Sequence, residues 1–131
     1  MISKEKLEHL NKISEAIIGA SIEVHKYLCP GLLESVYEIC LLEELEQRGL
    51  KVQKQVLLPV YYKGLLTKKF YKIDLLVEDE VIVELKAISR KSMVFEHQLM
   101  TYLKLTNKPL GLLINFDVPR LVDGITRRLN G

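Results

Sequence analysis

Ile73-Asp74-Leu75-Leu76-Val77-Glu78-Asp79-Glu80-Val81-Ile82-Val83-Glu84-Leu85-Lys86 decides the fold. Two apolar runs flank an acidic triplet, the pattern of two interior strands joined by a tight turn. Side chains alternate faces along a strand, so Ile82, Glu84 and Lys86 share one face while Val81, Val83 and Leu85 take the other. With Glu78-Asp79-Glu80 as the loop, pairing is symmetric about Asp79 and sets Asp74 opposite Glu84 on the same face, with Cβ atoms about 5 Å apart. Carboxylates that close repel, and in a partly buried site one protonates unless a cation lies between them. All-oxygen ligation with no His or Cys nearby points to a hard ion, Mg²⁺ or Mn²⁺, rather than zinc. Lys86 reaches the same place as a point charge for a phosphate or a metal-bound water. Two blander readings compete: a buried acid–Lys86 pair that satisfies itself, and a hairpin slipped by one residue that turns Asp74 away.

Upstream, Ile13, Ala16, Ile17, Ala20, Val24 and Tyr27 recur at helical spacing, which predicts one amphipathic helix over residues 4–28, stopped by Cys29-Pro30-Gly31. A second helix is expected from Leu32 to about Arg48, with Leu33, Val36, Tyr37, Cys40, Leu41 and Leu45 inward and Gly49 at its end. Glu34 lies on that inner side, either as a helix-start charge favoured by the macrodipole or as part of a site. Strands are expected over 52–62, 69–77 and 81–88. Downstream, Ser92 caps a third helix through Thr106, with Phe95, Leu99, Tyr102 and Leu103 as its apolar stripe. A buried strand over 110–116, a short helical turn and a strand over 124–129 complete the chain. A meander followed by a helical crossover predicts an α/β fold: a mixed sheet, antiparallel meander plus crossover strand, flanked by helices in a single domain over 1–131.

Length and a hydrophobic content of 48% suffice for one continuous core. No apolar stretch approaches a bilayer span, so the reading is soluble, cytoplasmic and without membrane contact. Cys29 and Cys40 read as reduced structural thiols. With 19 Lys+Arg against 17 Asp+Glu, a net charge of +2 excludes the global basic field of strongly cationic DNA binders. Nucleic-acid contact must then be local, at Lys63, Lys68, Lys69 and Lys72, at Arg90-Lys91 or at Arg127-Arg128, although each such cluster taken singly is more often a solvated face than a phosphate site. No aromatic single-strand platform stands out. The modest charge fits weak binding alone, a homodimer that doubles the basic surface, or an unidentified protein partner that delivers substrate.

Gly31-Leu-Leu-Glu34-Ser-Val-Tyr37 resembles the signature of the GxxExxY proteins, small bacterial and archaeal chains of the PD-(D/E)XK nuclease superfamily. The likeness runs from about Ile13 to the end, including the Val60-Tyr-Tyr-Lys-Gly64 and Gly111-Leu-Leu-Ile-Asn-Phe116 segments. Asp74 with Glu84-Leu85-Lys86 is similar to the Asp…Glu-x-Lys core, and Gln98-Leu-Met-Thr-Tyr102 resembles the Gln-x-x-x-Tyr motif of its RecB-like branch. The resemblance implies a restriction-endonuclease-like fold and a nuclease acting on nucleic acid, with DNA favoured. It further implies that Asp74, Glu84 and the Leu85 carbonyl bind Mg²⁺ and that Glu34 completes the metal shell. Lys86 would orient or activate the attacking water, and Gln98 and Tyr102 would steady the site or touch substrate phosphate. The sequence departs from the pattern three residues before Gln98, where many relatives have His and this chain has Phe95. His97 sits beside the glutamine, and no catalytic role is assigned to any histidine.

Overall fold

A computed structural model describes residues 1–131. Helix α1 spans Lys4–Leu28, and α2 spans Glu34–Gln47. Strands β1 (Val52–Tyr62), β2 (Leu65–Val77) and β3 (Val81–Lys86) follow. Helix α3 (Met93–Thr106) then leads to β4 (Leu110–Asn115), a 3₁₀ turn at Leu121–Gly124 and β5 (Ile125–Leu129). The five strands lie in the order β1-β2-β3-β4-β5, with β3 and β4 parallel and the other neighbours antiparallel.

Helices α1 and α2 cover one face of this sheet. Leu10, Ile17, Leu41 and Leu45 meet Leu75, Val83, Leu85 and Leu112 there. On the other face, Leu99, Tyr102 and Leu103 of α3 meet Ile73, Leu76, Ile82 and Leu113. A Cβ on Gly111 would stand 2.7 Å from Leu99 Cδ1, so the missing side chain lets α3 settle directly on β4. Ser92 caps α3 as expected, its hydroxyl accepting from the Val94 N–H.

Several expectations shift at their edges. Tyr27 and Leu33 stand 86% and 74% exposed, because the stripe of α1 ends at Val24 and α2 starts only at Glu34, with Leu33 as its N-cap. Strand β2 begins at Leu65 rather than at 69. Lys63 and Gly64 both adopt positive φ, forming a two-residue turn that pairs Tyr62 with Leu65 directly. The strands over 81–88 and 110–116 each close one or two residues early, at Lys86 and Asn115.

One irregularity positions everything that follows. From Val52 to Pro59, strand β1 keeps one register with β2, Lys54 opposite Leu75 and Val56 opposite Ile73, and the register shifts only beyond, between Pro59 and Tyr61. Yet Leu75 packs under α1 and α2 while Ile73, two residues away, packs under α3. Regular alternation would put both on one face. Val52 and Val56 of β1 divide between the two faces in the same way. Both strands therefore roll over together between these pairs, at Gln55, whose φ is +51°, and at Asp74.

Candidate active site

Strands β2 and β3 pair through Val77–Val81, Leu76–Ile82 and Leu75–Val83, the symmetric register about Asp79. The ladder then stops at the roll of β2, and side chains take over its hydrogen bonds. The Asp74 N–H donates to Glu84 Oε2 at 2.8 Å, and the Leu85 N–H donates to Asp74 Oδ2 at 2.9 Å. Asp74 and Glu84 are thus brought together across the fork where the strands part. A slip of one residue is excluded by the observed pairs.

Glu84 is 4% exposed. Burial pushes its carboxyl up to about 8, and the neighbouring charge of Asp74 adds to the rise. Asp74 is also raised by burial, against the opposing pull of the Leu85 N–H and of Lys86. Lys86 joins none of the four ion pairs in the structure. Its ammonium lies over the Phe95 ring, 4.4 Å from the centroid. The self-satisfied acid–lysine pair is therefore absent.

Glu34 approaches from α2. Its pKa is raised by burial, with Lys86 opposing and Asp74 and Glu38 reinforcing, so it shares the field of the strand carboxylates. The turn that presents it is held by Tyr37. That buried ring stacks on Phe116 with centroids 4.6 Å apart, and its hydroxyl donates to the Cys29 carbonyl and accepts from the Leu32 N–H. Gly31 in the same turn has φ +103°, a conformation that L side chains resist. Gly31 and Tyr37 shape the loop, and Glu34 is what the loop delivers.

Tyr102 rises from α3 on the opposite side. Its hydroxyl is pushed up to about 12 by burial and then by the charges of Glu84 and Asp74, with the Gln98 side chain opposing. Its ring is 5.4 Å from that of Tyr71. All six side chains named from the sequence therefore border one fork in the sheet.

Two residues at this fork escaped the sequence reading. Glu38, one turn beyond Glu34, has its carboxyl raised by burial and by Asp74, and it accepts a 2.6 Å hydrogen bond from the Gln55 amide. The Gln55 side chain also opposes the rise at Asp74. The i, i+4 spacing of Glu34 and Glu38 was a legible signal, whereas the left-handed turn of Gln55 has none in its own residue type. No three His, Cys, Asp or Glu side chains form a ready-made metal cluster. Beside the fork, a cavity of about 200 Å³ opens between Lys86, Phe95, Leu113 and Asn115.

A mixed sheet with helices on both faces, carrying Asp…Glu-x-Lys where two of its strands part, is the restriction-endonuclease-like α/β architecture. The family model of the PD-(D/E)XK nuclease superfamily matches residues 11–128, and the chain belongs to that superfamily. Neither the curated proteins nor the solved structures contain a match to it. Membership implies nucleic-acid binding and phosphodiester chemistry. No helix is long and apolar enough to cross a membrane.

Proposed function

We propose that this protein is a Mg²⁺-dependent nuclease that hydrolyses phosphodiester bonds in DNA, with Mn²⁺ able to substitute. The observation that carries this reading is the Asp74–Glu84 pair: two adjoining carboxyls, both raised by burial, that ionise together readily only around a cation. The donor set suits a hard ion. Asp74 and Glu84 supply carboxylate oxygens, and the Leu85 carbonyl lies on the same open strand edge as its N–H. Mg²⁺ is commonly held by one or two carboxylates, with water and substrate phosphate completing the shell, so a closed protein cage is not required.

Asp74, Glu84 and the Leu85 carbonyl would hold the ion, with Glu34 completing the shell directly or through water. The bound ion would neutralise charge developing on the phosphate and lower the pKa of water. Lys86 leaves the Phe95 ring to meet the attacking water or the scissile phosphate. Gln98 and Tyr102, on the α3 side, would steady the site or touch substrate phosphate, and the loop built on Gly31 and Tyr37 keeps Glu34 aimed at the fork. That last arrangement supports placing the chain among the GxxExxY proteins.

The test is incubation with labelled linear, nicked, branched and single-stranded DNAs and RNA, with Mg²⁺ or Mn²⁺. Metal-dependent cleavage by the wild type and its loss in Glu84→Ala and Lys86→Ala is the expected result. Nucleic-acid binding with no cleavage under any metal would replace the enzyme with a non-catalytic binding module of the same fold.

A further inference from the structure

The β1–β2 hairpin extends beyond the sheet. Past Asp74, only β1 pairs with β2, leaving a two-stranded ribbon. From Lys51 to Ile73 the chain carries Lys51, Lys54, Lys63, Lys68, Lys69 and Lys72 and not one Asp or Glu. With a net charge of only +2 overall, the remainder of the molecule is net acidic.

Folding gives this segment an order that composition conceals. Along β2, Lys72 and Phe70 fall on one face at alternate positions, and the strand then runs through Lys68 to Leu66 across a register shift that lies between Pro59 and Tyr61 on β1. Opposite them on β1 stand Leu57 across from Lys72, Pro59 across from Phe70 and Tyr61 across from Leu66. Phe70 is 55% exposed and Tyr61 62%. No helix covers these rings, and the lysines between them have no ion-pair partner. A neutral apolar partner would bury unpaired ammonium groups. A second copy of the ribbon would set lysines against lysines. Duplex DNA presents phosphates but keeps its base faces stacked away from a side-chain ring, whereas an unpaired strand offers both.

We propose that this face of the ribbon is a track for single-stranded nucleic acid, with lysines on its phosphates and Phe70 and Tyr61 against its bases, leading toward Asp74. It deepens the nuclease reading by naming the substrate class, and it rests on that reading only for the strand's destination.

Binding of the full chain to a labelled oligo-dT strand and to a duplex of equal length is measured by fluorescence anisotropy in EDTA, so that nothing is cleaved. The single strand is expected to bind more tightly. Phe70→Ala combined with Tyr61→Ala should weaken it about tenfold or more while duplex binding stays put. Phe70→Trp should retain affinity, and thermal melts of these surface variants should match the wild type. Lys68→Ala with Lys72→Ala should reduce the slope of log affinity against log salt by about 1.4. Preference for duplex, an unchanged affinity in the aromatic double variant, or a ribbon-dependent dimer in sedimentation would each overturn the proposal. Wild-type binding of this pattern with no cleavage in Mg²⁺ or Mn²⁺ would support the track and sink the nuclease reading.

Discussion

Strand β2 has two parts, a short inner one and a long outer one, that differ in burial and in pairing as well. The inner half, Leu75–Val77, sits between β1 and β3 with every side chain buried. The outer half, Leu65–Lys72, pairs only with β1 and keeps most of its side chains in water. Asp74 stands at the boundary, where the strand rolls over and the ladder to β3 ends. The rigid half fixes the Asp74 backbone, while the missing ladder bonds free one N–H of β2 and one of β3 for the two carboxylates. A fully paired strand would have consumed those groups, and a wholly free one would not have held the acids together against their repulsion.

The inner half should therefore carry stability. Leu75 is fully buried among residues of α1, α2 and β4. Leu75→Ala should cost about 2–5 kcal/mol, read as a loss of unfolding free energy in urea. A cost below about 1 kcal/mol would show that this half is not the anchor, and the comparison would fail at its stronger end.

At the boundary, pH is the probe. The folded Glu84 value of about 8 lies above the 4.5 of the unfolded carboxyl, so between these values the folded chain holds a proton that the unfolded chain has released. Stability from this group is fully present below about 4.5 and is lost as pH rises through about 8. Asp74, Glu34 and Glu38 are raised as well and act with the same sign. In EDTA, the melting temperature of the wild type should fall from pH 5.5 to pH 8, and Glu84→Gln should flatten much of that fall. Saturating Mg²⁺ at pH 8 should raise the wild-type melting temperature, with about 2.7 kcal/mol of stabilisation at a hundredfold excess over Kd, and should leave Asp74→Ala unmoved. A wild type that gains stability between pH 5.5 and 8 without metal would mean that the pair is solvated.

The same boundary separates what the sequence disclosed from what it hid. Period-two alternation and the acidic triplet were enough to place Asp74 beside Glu84, since hairpin register follows from loop and pattern. The spacing of Tyr37, Leu41 and Leu45 likewise placed Glu34 on the inner side of α2. Hidden were the start of β2 at Leu65, because Leu65 and Leu66 are both exposed and break no pattern of burial, and the roll at Gln55. A left-handed glutamine is imposed by tertiary packing, and residue type carries no mark of it. Glu38 was overlooked because its meaning comes from Gln55 and Asp74, two strands that reach it only after folding. The ribbon's aromatic residues were visible as letters, but their exposure depends on β3 and α3 ending short of them.

The smallest effect belongs to the outer half and tests it most directly. Leu57 faces solvent at 57% exposure, opposite Lys72, with no buried cluster beneath it. Leu57→Ser removes apolar surface that folding does not bury, so the unfolding free energy should change by no more than about 0.5 kcal/mol, with an unchanged urea slope. A β-rich ribbon also loses a little strand propensity with serine, which keeps the expected sign slightly destabilising. A loss above about 2 kcal/mol would mean that Leu57 is buried in solution, by a second chain or by a closed position of the ribbon over α2. Dilution separates these cases, since only association makes the loss depend on protein concentration.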